Sequence, residues 1–318
     1  MRKTFLTIAL GLTAIAMSAQ QRWAVVEASA AFLRNAPDYE AALETQMLMG
    51  SIVEIQGSES YWFKVHASEP EYTAWVTELA IVEMSEAQKD AYIKADKYIC
   101  TAELTHIFTE PSENSARVGD FVMGNLVRQV KDSKGKAVKK GSWLEVQLPS
   151  GKTGFVKKTE VADFDAWKAS RVASADNIIS TAMLLKGVPY MWGGTSVKGV
   201  DCSGLTRTSY FMNGLLLPRN ASQQVKCGIE VSLDELQPGD LLFFGRKATP
   251  ERGEGISHVA MYIGDGKIIH SSLMVRINTL NGDGEDAYKR EVLHARRIIG
   301  YADEAHGVKK IAEHPFYE

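Results

Sequence analysis

One cysteine and two histidines have the types and the spacing that amide-bond hydrolysis requires. Cys202 stands in the run Gly199–Leu205, where a turn leads into a predicted helix. His258 and His270 are 12 residues apart, on two runs with the composition of neighbouring strands. A thiol becomes a nucleophile when a base takes its proton, and a third polar group can orient that base. The three residues are therefore predicted to be nucleophile, general base and orienting residue.

The helix that begins at Cys202 is predicted to run to Met212. Its N-terminal end carries partial positive charge and free backbone N–H groups. Both lower the pKa of a thiol, and the N–H groups can hold the oxyanion that forms when a thiolate attacks a carbonyl. Cys202 is therefore expected to be a reactive thiol.

The two histidines are predicted to lie across a β-hairpin. The strands over 259–263 and 267–270 are joined by the turn Gly264–Gly266, which leaves His258 and His270 about level. Side chains that are level across an antiparallel pair share one face of the sheet. His270 is therefore expected to bond the far nitrogen of His258 and fix its tautomer. Taken singly, each residue is better explained by packing than by catalysis; the combination is what favours catalysis.

The composition excludes some classes of protein and leaves others open. A length of 318 residues predicts two or three domains. The net charge of −3 provides no basic surface, so we expect no nucleic-acid partner. The sequence contains no Cys/His cluster with metal-ligand spacing, so neither a metal nor another cofactor is predicted.

The N-terminal residues have the pattern of a secretory signal peptide. Arg2 and Lys3 precede the apolar run 5–17, which is too short to span a bilayer, and small residues follow before Gln20. Residues 1–19 are therefore predicted to be removed on export to the periplasm or the extracellular space. No other segment is long and apolar enough to suggest an integral membrane protein.

Two stretches before residue 165 repeat one pattern. Each has a strand with a Pro turn, a Met-Gly pair, a further strand, an aromatic strand and an aromatic-Val strand, with Met49-Gly50 matching Met123-Gly124. Such runs predict small barrels, and their order is similar to bacterial SH3-like domains. The predicted organisation is a signal peptide (1–19), a first SH3-like barrel (20–84), a linker helix (85–97), a second barrel (98–164) and an α+β domain (165–318).

Two further cysteines, Cys100 and Cys227, are predicted to be buried thiols, with a disulfide between them as the alternative.

Six short motifs surround Cys202 between about residue 173 and residue 301: Pro189–Gly194, Asp201–Gly204, Leu217–Gln224, Leu236–Phe244, Ile256–Gly264 and Ile268–Ser272. In this order they resemble the motifs of the NlpC-type papain-like cell-wall cysteine peptidases. With two SH3-like units in front, the chain is similar to the dipeptidyl-peptidase branch of that family. The resemblance implies a papain-like C-terminal domain, with Cys202 as nucleophile, His258 as base and His270 as the third residue.

The resemblance also implies a set of substrate-binding residues. Tyr190 would contribute to the oxyanion region, or would only pack. Asp201 and Ser203 would receive the free amine of an N-terminal L-alanine, with capping of the helix as the alternative for Asp201. The remaining candidates are Ser257 beside the base, Tyr72 from the first barrel, and one glutamate, either Glu44 or Glu40, between which the sequence does not decide.

The function that the resemblance implies is hydrolysis of peptidoglycan stem peptides. This branch typically cuts between γ-D-glutamate and L-lysine or meso-diaminopimelate and releases L-Ala-γ-D-Glu. Two alternatives remain: an endopeptidase that acts on intact wall, and a catalytically inert protein that binds wall peptides.

Overall fold

The computed structural model of the protein describes residues 21–317. The signal peptide predicted over 1–19 lies outside the described residues. Within residues 21–317, no helix has the length and apolar character needed to cross a membrane.

Two β-sheets form the N-terminal part of the described chain. The strands of the first are β1 (Arg22–Val26), β2 (Ala30–Arg34), β3 (Leu43–Leu48), β4 (Ile52–Glu59), β5 (Trp62–Ser68), β6 (Glu71–Thr77) and β7 (Ile81–Met84). The strands of the second are β8 (Lys97–Cys100), β9 (Leu104–Phe108), β10 (Arg117–Val122), β11 (Leu126–Gln129), β12 (Lys139–Lys140), β13 (Trp143–Gln147), β14 (Thr153–Lys157) and β15 (Val161–Asp163). Helix α1 (Glu86–Lys94) connects the two sheets.

The two sheets have the same strand order. It is β3-β2-β6-β5-β4-β1-β7 in the first and β10-β9-β14-β13-β11-β8-β15 in the second, where β12 is an addition that pairs with β13. A 3-10 turn precedes the last strand of each, Glu78–Ala80 and Lys158–Glu160. Each sheet also encloses its own apolar core. The repeat predicted from the sequence is therefore confirmed by topology.

The C-terminal part mixes helices and strands, as predicted. Its helices are α2 (Phe164–Ala169), α3 (Ala175–Leu184), α4 (Cys202–Phe211) and α5 (Ala221–Gln224). Its strands are β16 (Thr195–Ser196), β17 (Gly199–Val200), β18 (Leu215–Leu216), β19 (Ile229–Glu230), β20 (Leu241–Arg246), β21 (Gly255–Gly264), β22 (Lys267–Ser272), β23 (Met274–Leu280), β24 (Ala287–Tyr288), β25 (Val292–Arg297) and β26 (Lys309–Lys310).

One seven-stranded sheet, in the order β19-β25-β20-β21-β22-β23-β24, supports the C-terminal part. Side chains alternate between its faces. Val259 and Ile269 point into the core that also contains Leu205 of α4, whereas Ala260 and Ile268 point into a second core on the other face. The sheet therefore holds helix α4 against the two strands that carry the histidines.

Cys100 and Cys227 are buried free thiols, as predicted. They belong to different apolar cores, because Cys100 packs inside the second N-terminal sheet and Cys227 packs in the C-terminal part.

Candidate active site

Cys202 is the first residue of α4, at the position that the sequence predicted. Asp201 caps the helix, since its side chain accepts a hydrogen bond of 2.7 Å from the Gly204 N–H. All ten residues of α4 are buried, and Cys202 is 7% exposed. The thiol therefore sits at the positive end of a helix that packing holds in place.

The surroundings of Cys202 raise the pKa of its thiol, whereas the sequence predicted a lowered pKa. Burial raises the pKa of Cys202 to about 11, the Asp201 carboxylate contributes in the same direction, and the backbone N–H groups of Val259 and Ser203 act to lower it. The predicted lowering by the helix end is thus outweighed by desolvation. Attack by this sulfur requires a base to take its proton.

His258 and His270 are hydrogen bonded to each other, as predicted. His258 Nε2 lies 2.8 Å from His270 Nδ1, and both side chains are buried. His258 immediately precedes Val259, whose N–H points to the Cys202 sulfur. The strand β21 therefore carries the predicted base next in sequence to the backbone N–H that contacts the predicted nucleophile.

The hydrogen-bonded chain continues beyond His270. His270 Nε2 lies 2.8 Å from Asn278 Oδ1 on β23, and the Asn278 side chain also contacts the Asp286 carbonyl oxygen at 2.6 Å. The Tyr288 ring packs against both imidazoles, with centroid distances of 5.8 Å to His258 and 4.7 Å to His270. The pair is fixed in orientation from both sides.

Burial favours the neutral form of both imidazoles. It lowers the pKa of His258 to about 3, with further lowering by His270 and by the cation of Arg290. Burial also lowers the pKa of His270; the hydrogen bond to Asn278 acts to raise this pKa, and Arg276 acts to lower it. Burial thus opposes protonation of the predicted base.

A cleft with a cavity volume of about 230 Å³, partly open to solvent, is lined in part by Cys202. All six predicted substrate-binding residues line it, and the complete lining is Glu44, Tyr72, Tyr190, Trp192, Asp201, Cys202, Ser203, Asn220, Ala221, Ser222, Ile256 and Ser257. Glu40 does not line the cleft and is exposed in the turn before β3. The structure therefore brings together the residues that the sequence grouped, and of the two glutamates only Glu44 lines the cleft.

Asp201 uses its carboxylate within the protein. Oδ1 accepts hydrogen bonds from the Gly204 N–H, the Ser203 hydroxyl and Arg219 Nη1, and Oδ2 accepts from the Gly193 N–H and Arg219 Nη2. A carboxylate offers about four lone-pair sites, and these five donors occupy them. Arg219 is 2% exposed and forms a buried ion pair with Asp201 of 2.6 Å. The geometry thus favours the capping alternative for Asp201.

Glu44 and Tyr72 reach the cleft from the first N-terminal sheet. The Tyr72 hydroxyl donates a 2.6 Å hydrogen bond to Glu44 Oε2. Burial and the adjacent Glu44 raise the pKa of Tyr72, so that the phenol keeps its proton and acts as a donor. This pair places one carboxylate, hydrogen bonded to a phenol, in the lining of the cleft.

Strand β3 is fastened to the C-terminal part by the two residues after Glu44. Thr45 Oγ1 accepts a hydrogen bond of 2.8 Å from Arg219 Nε, and Gln46 Oε1 accepts from the Thr195 N–H and the Ser196 hydroxyl, each at 2.9 Å. Thr45 and Gln46 are buried. These bonds fix the position of Glu44 relative to the nucleophile.

Tyr190 is held beside the thiol by backbone pairing, since its N–H donates to the Leu273 carbonyl at 2.9 Å. Burial raises the pKa of Tyr190 to about 12, and Cys202 and Asp201 contribute to the rise. The hydroxyl therefore remains a hydrogen-bond donor next to the sulfur.

Arg219 and Asn278 contribute to the site but were not among the residues predicted from the sequence. Arg219 lies inside a motif that was recognised, and a buried Asp201 requires a cationic partner, so this signal was present. The sequence contains no comparable signal for Asn278. Its contact with His270 depends on the register of β22 and β23, in which His270 lies opposite Arg276.

Comparisons with known proteins place this geometry in a family. The model of the NlpC/P60 family matches residues 187–297, and the model described as the bacterial dipeptidyl-peptidase Sh3 domain matches residues 33–81. The Bacillus cereus protein named gamma-D-glutamyl-L-lysine dipeptidyl-peptidase is 31% identical over 271 residues, which cover 81% of this chain and 75% of that protein. Dipeptidyl-peptidase 6 of Lysinibacillus sphaericus is 27% identical, over 87% of this chain and 98% of its own.

A solved structure shows the same architecture. The crystal structure of an NlpC/P60 family protein from Bacillus cereus superposes with a TM-score of 0.71 at 27% identity, and covers 87% of this chain and 99% of that one. The α+β fold thus combines an SH3-like all-β N-terminal region with a papain-like C-terminal domain, as predicted. With Cys202 at the N-terminus of the buried helix and a relative of 31% identity along most of its length, the chain belongs to the NlpC/P60 family of cysteine peptidases.

Proposed function

We propose that the protein is an exported dipeptidyl-peptidase that acts on peptidoglycan stem peptides with a free N-terminal L-alanine. It would hydrolyse the bond between γ-D-glutamate and L-lysine or meso-diaminopimelate and release L-Ala-γ-D-Glu. The observation that carries the proposal is the Glu44–Tyr72 pair, which puts an acidic subsite in the same cleft as Cys202. The relatives named as dipeptidyl-peptidases support it.

The acidic subsite is suited to an ammonium group. Glu44 Oε2 accepts from Tyr72, which leaves Glu44 Oε1 to accept from a substrate amine. A carboxylate that is partly desolvated pairs well with a cation and poorly with an acylated nitrogen. The site would therefore select peptides already released from the sugar, in which L-alanine has a free amine.

In the proposed reaction, His258 is the general base and Cys202 is the nucleophile. His258 takes the Cys202 proton as the sulfur attacks the γ-glutamyl carbonyl, and a tetrahedral intermediate forms. The Tyr190 hydroxyl and a backbone N–H at the start of α4 would stabilise its oxyanion. The carbon–nitrogen bond then breaks, and the diamino acid leaves with the proton from His258. Water, deprotonated by His258, hydrolyses the thioester and frees the dipeptide and the thiol.

The direct test compares a free tripeptide with its N-acetylated form. L-Ala-γ-D-Glu-L-Lys and the diaminopimelate analogue are incubated with the full chain, and products are identified by mass spectrometry. We expect L-Ala-γ-D-Glu from the free peptides and little turnover of the acetylated ones. Equal rates on both forms would favour the endopeptidase of intact wall instead.

Substitution of Glu44 by Gln should reduce that selectivity. Loss of the charge removes a charge-assisted hydrogen bond to the ammonium, so kcat/KM for the free tripeptide should fall about 10- to 100-fold. The acetylated peptide should be affected little. Glu40→Gln is the matched control, because Glu40 is an exposed glutamate outside the cleft and its replacement should change neither rate. A Glu44→Gln variant that lowers both rates equally would contradict the amine subsite.

The acid limb of the pH profile should lie well below the pKa of an ordinary histidine. Because burial lowers the pKa of His258, its base form persists in mild acid. We expect kcat/KM to change little between pH 7 and pH 5, whereas a base with an unperturbed pKa would lose about 25-fold over that interval. In Arg290→Met the limb should move to higher pH, since a cation that opposes protonation of His258 is removed, and Arg290→Lys should retain the wild-type profile. A limb near pH 6.5 in the wild type would contradict this assignment.

A further inference from the structure

The side-chain amide of Asn278 has only one orientation that satisfies both of its neighbours. One end lies 2.6 Å from the Asp286 carbonyl oxygen, and the other lies 2.8 Å from His270 Nε2. A carbonyl oxygen can only accept a hydrogen bond, so the NH2 group must face Asp286 and Oδ1 must face His270. Asn278 is 8% exposed, so solvent offers few alternative partners. His270 must consequently donate from Nε2.

The tautomer of His270 determines the tautomer of His258, because the two rings are hydrogen bonded to each other. A neutral imidazole has one donor nitrogen and one acceptor nitrogen, and burial keeps both rings neutral. If His270 donates from Nε2, its Nδ1 accepts. His258 Nε2, at 2.8 Å from that atom, must then carry the proton. The remaining nitrogen of His258, Nδ1, is therefore an unprotonated acceptor.

We infer that Asn278 is a positioning residue that, anchored by the Asp286 carbonyl, holds both imidazoles as Nε2–H tautomers and leaves Nδ1 of His258 ready to take a proton. The role of that proton rests on the proposed function, but the tautomers do not. When Nδ1 of His258 gains a proton, neither of the other two N–H bonds has to move. The two imidazoles thus start each catalytic cycle in the tautomers that proton transfer from Cys202 requires.

The groups that face the imidazoles agree with a neutral resting pair. Tyr288 packs its ring on both, and Arg276 and Arg290 are cations whose fields oppose protonation. The acceptor at the end of the chain, Asn278 Oδ1, is uncharged. Geometry and charge together favour the same tautomers.

The tautomers can be measured directly in the resting full-length protein. Histidine labelled with ¹⁵N gives two-bond ¹H–¹⁵N correlations that distinguish Nδ1–H from Nε2–H, and His258→Gln and His270→Gln assign the two rings. We expect both rings to be Nε2–H. A proton on Nδ1 of either ring would overturn the inference while leaving the proposed function intact. Failure of the proposed function would instead appear as absent tripeptide turnover with the expected tautomers.

Asn278→Leu removes the hydrogen-bond acceptor of His270 Nε2, so neither imidazole should then be held in a single tautomer. Because Asn278 does not line the cleft, kcat should fall roughly 10- to 100-fold with little change in KM, as for other residues that orient a functional histidine. The two rings should then show mixed tautomers. Asn213→Leu is the control, because Asn213 is a buried asparagine of the same domain that bonds Ser209 and Thr181 and no histidine. A fall in kcat with unchanged tautomers would assign Asn278 a purely structural role and overturn the inference.

Asn278→Asp keeps an acceptor for His270 but adds a negative charge. The charge favours the imidazolium form, so the acid limb of kcat/KM should move to higher pH. A residue that only packs would not shift this limb. An unmoved limb in this variant would therefore also count against the inference.

Discussion

Replacement of Cys202 by Ala is expected to remove hydrolysis of the free tripeptide. The thiol is the nucleophile in the proposed mechanism, and no other group of the cleft lining offers a comparable sulfur. Loss of a covalent nucleophile typically costs on the order of 10⁴- to 10⁶-fold in kcat. The measurement is the rate of L-Ala-γ-D-Glu release, followed by mass spectrometry. Circular dichroism should show an unchanged fold, since the side chain is small.

Cys227→Ala is the matched control for that experiment. Cys227 is also a buried free thiol of the papain-like domain, but it does not line the cleft, so its replacement should leave turnover unchanged. Undiminished release of the dipeptide by Cys202→Ala would exclude this cysteine as nucleophile. A wild-type protein that binds the free tripeptide without releasing L-Ala-γ-D-Glu would favour the inert wall-peptide-binding alternative.

The sequence was sufficient to place the cysteine and the two histidines. A capped helix start at Cys202 and a glycine turn between two strands are local features, and local features determine which side chains meet across one hairpin. The observed bond between His258 and His270 follows from them. The repeated strand order of the N-terminal sheets was also predictable, because the same turn residues recur in both.

The rest of the site depends on contacts between distant parts of the chain. Glu44 could not be separated from Glu40 by sequence, because the choice is made by Thr45 and Gln46, which fasten β3 to the papain-like domain. The ionisation of Cys202 was predicted in the wrong direction for a similar reason. A helix end lowers a thiol pKa by a local effect, whereas the burial that opposes it depends on how the whole domain packs.

The ion pair between Asp201 and Arg219 should make the largest contribution of any single polar contact near the site to stability. Both side chains are buried, and Asp201→Asn would leave the Arg219 guanidinium without its counter-charge. Removal of one partner from a buried pair typically costs about 3–5 kcal/mol of the free energy of unfolding. Urea unfolding of the full chain, followed by circular dichroism, measures the change.

Asp163→Asn separates the ion pair from the capping role. Asp163 also caps a helix, α2, by accepting a 3.0 Å hydrogen bond from the Ala166 N–H, but it is exposed and pairs with no buried cation. Because Asn caps helices about as well as Asp, this control should change the free energy of unfolding by less than about 0.5 kcal/mol. The double variant Asp201→Asn/Arg219→Met should be less destabilised than the sum of its single variants, since it leaves no unpaired charge. Equal losses in Asp201→Asn and Asp163→Asn would show that capping, rather than charge compensation, is what Asp201 provides.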